Sequence, residues 1–562
     1  MKPSSHAFLV FLSFAFGFFG NSLFAKNSNA GPPCPHFLVE DGPDLDSELD
    51  HVPTTPFHGE CRLHRDVLGL AKSMNLKPGI TLDCQGHKIT PATGGVLGDA
   101  DSRSDPELAI FVNGAGATRV KDCVIEGFDH GIFVANAKST DMSEGSRGSI
   151  QGNRIDARFV AVHLVLTDNF DIKENQLTWR TRGGIGVLIQ QDSSRIAVSD
   201  NEVAGDFPAT NQGAVLMPGP TATEPGGPIA SNLNSNPVFS STHGAILIVQ
   251  ALGPHPQLFN AIVNGELYQF TTTESSVPND EFTQDIFVEG NSVAFDESNT
   301  TEDGIVASNA LLTTVRANTI GSQAKGANVR QAMRAGGLSG PAPVGNPRQF
   351  PGSCSEKTSR LCLSHFDCNI PEIDGGGTDS CSLPPTKAVF WYPRDLKFED
   401  NTIYGPFLVG IATVGENVVV AGNSILGVFP SGPAASVGIA LAGKKPLETA
   451  VVHRNSVSGV ATGLRFMNVF QGEGPAFFGV EVSLNDITGY GAAVVTTNDY
   501  VVASELSVDG RGNYWGLACP PGFDSAFVKK DNGSLQPAVV DSHPYSEAVA
   551  GLDDESLPAT CE

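Results

Sequence analysis

GNRI (Gly152–Ile155), ENQL (Glu174–Leu177) and DNEV (Asp200–Val203) repeat one phrase: an asparagine, any residue, then an aliphatic residue, each after a short alternating run. The phrase returns as GNSV, ANTI, DNTI, GNSI, RNSV and LNDI. Its asparagines are Asn153, Asn175, Asn201, Asn291, Asn318, Asn401, Asn423, Asn455 and Asn485, spaced by 22, 26, 90, 27, 83, 22, 32 and 30 residues. Six of the eight spacings suit one turn of a solenoid, and the two long ones read as turns carrying insertions. Between the asparagines lie glycine-led strands: GIFV from Gly131, GIGVLI from Gly184, GIVA from Gly304, GIAT from Gly410 and GIAL from Gly438. Short strands at this spacing, without helical periodicity, predict coils stacked in parallel. Asparagine tolerates left-handed backbone, and stacked amides can hydrogen-bond from coil to coil. An antiparallel sandwich is the rival, but its hairpins have no need of one asparagine at the same place in every unit.

Composition agrees. Among 562 residues there are 62 Gly and 37 Pro, and only 17% are charged, which suits an all-β chain rich in turns. With 35 Lys and Arg against 61 Asp and Glu, the formal charge is −26, which argues against nucleic acid as a partner. After Lys2, the Phe-rich run from Ala7 to Ala25 ends in small residues and reads as a secretory signal; a transmembrane anchor is the rival, but Gly17, Gly20 and Asn21 interrupt it. The expected protein is secreted or periplasmic, with no membrane span once the signal is removed. The ten cysteines all follow that segment, as expected of an exported, disulfide-bonded chain. Cys354, Cys362, Cys368 and Cys381 crowd together without a C-x2-C pair, so a stapled loop is preferred to a zinc site, with three pairings open.

The asparagine phrases, ITLDCQGHKI (Ile80–Ile89) and DGRGNYWG (Asp509–Gly516) together resemble the right-handed parallel β-helix proteins of the pectin-lyase-like superfamily. They are especially similar to exported β-helix proteins that include the periplasmic accessory proteins of nitrous oxide reductase. The resemblance implies an all-β, right-handed parallel β-helix with capped ends and two long loop insertions. Its members include polysaccharide lyases, hydrolases, epimerases and non-enzymes, so it leaves activity open. The expected organisation is a signal peptide at 1–30, an N-terminal cap at 31–75, the β-helix at 76–516 and a C-terminal cap at 517–562. Arg62–Asn75 is expected to include a short capping helix. The insertions are expected at about 217–282 and 331–388, emerging roughly 10 Å apart on one side and walling a groove. The first contains GAILIV and ELYQFTTT and is expected to form a hairpin.

In each glycine-led strand, the second residue after glycine should point outward. The column Phe133, His163, Leu188, Val215, Val306, Asn328, Ala412, Ala440, Arg465 and Ala493 holds no carboxylate. Neither does the column two residues further on, which includes Gln190 and Arg330. Calcium-dependent lyases and glycosidases need clustered carboxylates, and none is apparent here. The apolar residues predict that the insertions partly cover this face. The remaining candidates are scattered. Arg394, Lys397, His163 and Arg330 could act as bases or cations if the coils align them. Trp391, Tyr392, Trp179 and Arg182 could hold a sugar ring or its carboxylate, or simply pack the returning loops. Asp374 and Asp379 flank a Gly-rich turn where calcium is possible; no other cofactor is implied. Two readings follow: a binding or structural β-helix acting on polysaccharide or cell-surface glycan, or a lyase, hydrolase or epimerase of an acidic polysaccharide.

Overall fold

The computed structural model describes residues 49–92 apart from 56–57, and most of 108–206, 244–249, 258–271, 283–335, 346–362, 377–382, 387–389 and 394–496. It adds short pieces at 368–369, 507–509, 513, 528–530 and 539–541. Within them the chain is a right-handed parallel β-helix. Each coil runs through a strand of a fifteen-stranded sheet, turns at an asparagine, passes a short second strand and turns again into a glycine-led strand. The three stacked rows enclose one core.

Period-two alternation makes the large sheet. Leu82, Val120, Ile150, Ile172, Val198, Val288, Val315, Phe398, Val420, Val452 and Val482 lie in register along its inner face. All are buried, and each fully buried aliphatic side chain contributes about 1.5–3 kcal/mol. β-Branched residues suit this position because their stiff side chains fit a pleated surface. At the corner before each glycine-led strand the chain passes too close for a side chain. A Cβ on Gly131 would lie 2.4 Å from the Ala161 carbonyl oxygen, and one on Gly304 2.3 Å from that of Ala332. The glycine signal therefore records close approach of backbone to backbone.

The asparagine ladder is continuous. The Oδ1 of Asn318, for example, accepts from the backbone N–H (3.0 Å) and Nδ2 (2.9 Å) of Asn291, while its own Nδ2 donates to the carbonyl of Val288 (2.9 Å). The pattern runs from Asn153 to Asn485 and on to Asn513, a member the expected ladder lacked. At its start Cys123 occupies the asparagine position, its N–H donating to Asn153 Oδ1 (2.9 Å) and its sulfur bonded to Cys84. A disulfide thus replaces the first amide contact.

Several expectations are corrected. Val67–Leu70 and Met74–Leu76 are strands, not part of a capping helix, because Val67, Leu70, Met74 and Leu76 supply the inward residues of a first coil. The strand before it, His58–Leu63, pairs in parallel with Ile80–Asp83, and Leu49–Thr55 covers it antiparallel. At the other end, Val528–Lys530 and Val539–Asp541 still pair in parallel, so coiling continues beyond Gly516. GAILIV (Gly244–Val249) is a coil strand between Ile185–Gln190 and Asp303–Ser308, which divides the first insertion in two. The apolar run was ambiguous because buried coil strands and loop strands share it. The second excursion begins only after Ala335 and ends at Arg394.

Within the excursions, Glu266–Thr271 forms an antiparallel hairpin with Leu258–Val263 rather than with GAILIV. In the other, Cys354–Cys368 and Cys362–Cys381 staple a three-stranded patch whose only buried cluster among the described residues is the cysteines themselves. Disulfides persist in oxidising surroundings, so the protein suits an extracellular or secreted setting. The expected signal segment lies outside the described residues. Among the described residues no helix is long and apolar enough to cross a membrane.

Candidate functional site

Register defines the outward face of the glycine-led strands. Its column runs Phe111, Phe133, His163, Leu188, Leu247, Val306, Arg334, Ala412, Ala440 and Arg465. Leu247 takes the place expected for Val215, Arg334 that of Asn328, and Val495, aligned with Arg465, that of Ala493. The first half is apolar and covered. Phe111 stacks on Phe133 (ring centroids 5.4 Å), and the hairpin lays Tyr268 against Phe111 (4.9 Å) and Phe270 against Phe133 (6.4 Å). Val263, Phe270, Leu188, Leu247 and Val306 complete this second apolar layer. Five apolar outward positions among six adjacent ones leave a sheet face that water disfavours, and the hairpin covers it.

Two histidines are caught in the layer. His163 is fully buried beside Phe133 (5.0 Å), with Nε2 against Gln190 Oε1 (3.1 Å). His130, one coil back, is 2% exposed, and neither ring nitrogen has a hydrogen-bond partner among the described residues. Burial lowers both imidazoles to about 3, so both are neutral at ordinary pH. His163 is four register steps from Arg334, roughly 19 Å at strand spacing. A general base and a cation do not meet there.

Just before the glycine, a neighbouring column carries the carboxylate that the expected columns lacked. Asp303 is fully buried and accepts from Arg330 Nε (2.9 Å) and Nη2 (2.7 Å), with Arg334 Nη2 at 3.6 Å. Both its oxygens serve the Arg330 fork, so the group holds two coils together rather than offering a free base. Alternation counted from the glycine hid Asp303, because the corner places consecutive residues on an irregular path.

The other candidates are dispersed. Arg394 and Lys397 are exposed on the fifteen-stranded sheet, away from His163 and Arg330. Trp179 does not face solvent: it is fully buried in the main core, edge-on to Phe295 at 5.6 Å, which corrects its assignment to sugar binding. Its place in the short second strand turns it inward. Trp391, Tyr392, Arg182 and Asp374 lie outside the described residues. Asp379 is engaged within its own loop. Its carboxylate accepts from Ser355 Oγ (2.5 Å) and the N–H groups of Glu356 (2.9 Å), Lys357 (3.1 Å) and Ser380 (2.8 Å), which hold it down at about 2. The one metal-like grouping among the described residues, Cys354, Cys362 and Cys368, is taken up in disulfides.

Across the molecule, Phe287 is 45% exposed on the fifteen-stranded sheet. Thr314 and then exposed Lys397 follow it on the next two coils, in register. Leu312, 50% exposed, stands beside them. The signal was hidden because Phe287 reads as one apolar residue in an apolar strand.

No family model matches the chain, and no curated protein does. Among solved structures it is similar to the tailspike protein of Escherichia coli bacteriophage HK620 in complex with a pentasaccharide. That match has 10% identity and a TM-score of 0.36, covering 84% of this chain and 72% of that one. It is also similar to a surface adhesin of Streptococcus pneumoniae (12%, TM-score 0.30, covering 78% and 81%). A third is a hyperthermoactive exopolygalacturonase from Thermotoga maritima (9%, TM-score 0.28, covering 85% and 89%). None of these carries the finer likeness to nitrous oxide reductase accessory proteins. The register of its own strands makes this chain a right-handed parallel β-helix protein, as the motif resemblance implied.

Proposed function

We propose that the protein is an exported β-helix with a binding or structural role toward extracellular carbohydrate, and no catalysis of its own. The observation that carries this reading is the filled first half of the outward face. Where an enzyme would need an open groove with a base, hairpin aromatics pack on Phe111 and Phe133, and the histidines are sealed and neutral. The nearby carboxylate is bound by a guanidinium fork.

The line of Phe287, Thr314 and Lys397 supports a binding surface instead. An exposed aromatic ring can lie against the apolar face of a pyranose, and a lysine about two coils away, roughly 10 Å, can meet a uronate carboxylate. Affinity electrophoresis through gels containing pectate, alginate or hyaluronan tests it. Retardation of the wild-type protein in one of them, weakened in Phe287→Ala and Lys397→Ala, supports the surface. Equal mobility in all gels would contradict it.

A further inference from the structure

The hairpin, the layer beneath it and the two histidines point to a device that the proposed binding surface does not use. A buried polar group without a partner needs an explanation, and His130 has none in the packing of the coils. Its register neighbours are Leu108 and Val160, both in the layer that the hairpin covers. His163 touches Phe133, which touches Phe270 of the hairpin. The hairpin forms its own two-stranded sheet, separate from the coils. Lifting it parts the Asn75–Tyr268 hydrogen bond and the Gln269–Leu361 pair but no coil ladder.

We infer that the hairpin Leu258–Thr271 is an acid-released lid over a concealed anion-binding surface. Closed, the layer excludes protons from both rings. Open, both rings meet water and titrate near 6.5, against about 3 when closed. The closed state is fully favoured above 6.5 and loses ground as pH falls toward 3. In that window each histidine raises the open-to-closed ratio up to about tenfold per pH unit, so the pair raises it up to about a hundredfold.

Among the described residues few charges oppose this. Burial alone acts on His130. On His163, burial and His130 disfavour the charged form, and only the Gln190 contact favours it. The described charged groups around the layer are Arg158, over the Phe159 ring at 4.7 Å and 3.5 Å from Asp129, and Glu266, bound to the Tyr268 hydroxyl. Asp303 lies further along, engaged with Arg330 and Arg334. Once open, two imidazolium groups stand among Phe111, Phe133 and Leu188, a surface suited to a polyanion.

Hydrogen exchange of the 258–271 segment, corrected for intrinsic rate, tests the lid at pH values one unit apart within the window. The expected slope is up to about a hundredfold in the wild type and up to about tenfold in His130→Leu or His163→Leu. Dextran sulfate at the lower pH should increase opening further in the wild type and less in either variant. A pH-independent wild type, slopes unchanged in the variants, or opening in step with coil strands such as Ser194–Ser199 would overturn the lid. An acid slope without any response to dextran sulfate would overturn the anion-binding surface.

Discussion

The side-chain amide of Gln269 donates to the carbonyl of Leu361 (2.8 Å) and accepts from its backbone N–H (3.0 Å). It behaves as one more peptide group in a β-ladder, joining the hairpin to the disulfide-stapled loop. Two excursions that begin two register steps apart on one side thus become a single cover. Gln269→Ala removes both bonds, at a cost of about 1–2 kcal/mol. Hydrogen exchange in 258–271 should quicken by roughly tenfold, with the fifteen-stranded sheet unchanged.

Leu361 owes its place to its neighbour, since Cys362 is bonded to Cys381. Among its described residues the loop has no buried apolar cluster besides its cysteines, so reduction should unfold it first. Limited proteolysis under mild reductant should cut within 352–382 before any coil. Survival of that loop under reductant would show that something other than the disulfides holds it.

The ladder predicts a graded cost. Asn318→Ala strips the acceptor from two buried donors of Asn291 and leaves the Val288 carbonyl without its amide, about 3 kcal/mol in all. Asn513→Ala likewise strips the acceptor from two donors of Asn485 and the amide from the Val482 carbonyl, but it costs no further described asparagine a donor, as Asn318→Ala does at Asn401, so it should cost somewhat less. Denaturant unfolding followed by far-ultraviolet circular dichroism compares the two.

Asp303→Ala leaves Arg330 and Arg334 facing a buried vacancy and should cost about 3 kcal/mol. The double variant Asp303→Leu with Arg330→Met should recover much of that loss, since an apolar pair leaves no uncompensated charge. Thermal melts of the two proteins make the comparison.

Asp379 sets an acid limit for the stapled loop. Hydrogen bonds from Ser355 and three backbone N–H groups hold its folded-state pKa at about 2, below the ordinary 3.8. Its contribution is present above the unfolded value and is lost as pH falls through that interval. Proteolysis by an acid-active enzyme should open the wild-type loop between pH 4 and 2, and Asp379→Asn should remove most of that dependence.

The β-helix was legible in the sequence because each coil repeats the same local demands: an aliphatic pair inward, an amide at one turn, a small residue at the next. Asn513 escaped because Tyr and Trp follow it where other rungs have an aliphatic residue. Coil and loop strands could not be told apart at GAILIV, since a buried strand is apolar wherever it packs. Much less of the candidate site was legible. Whether His163 faces solvent depends on what covers its coil, a property of distant segments, while Trp179 is turned into the core by its place in the short second strand. Phe287, Thr314 and Lys397 become neighbours only through register, across 110 residues of chain.

The most direct test of the account is whether the protein changes the polymer it retains. Wild-type protein incubated with pectate, alginate and hyaluronan, with and without calcium, should retain at least one of them and leave its chain length unchanged. No unsaturated uronate absorbance and no new reducing ends should appear. Shortened chains, unsaturated products or new reducing ends would contradict it and place an enzyme on this fold.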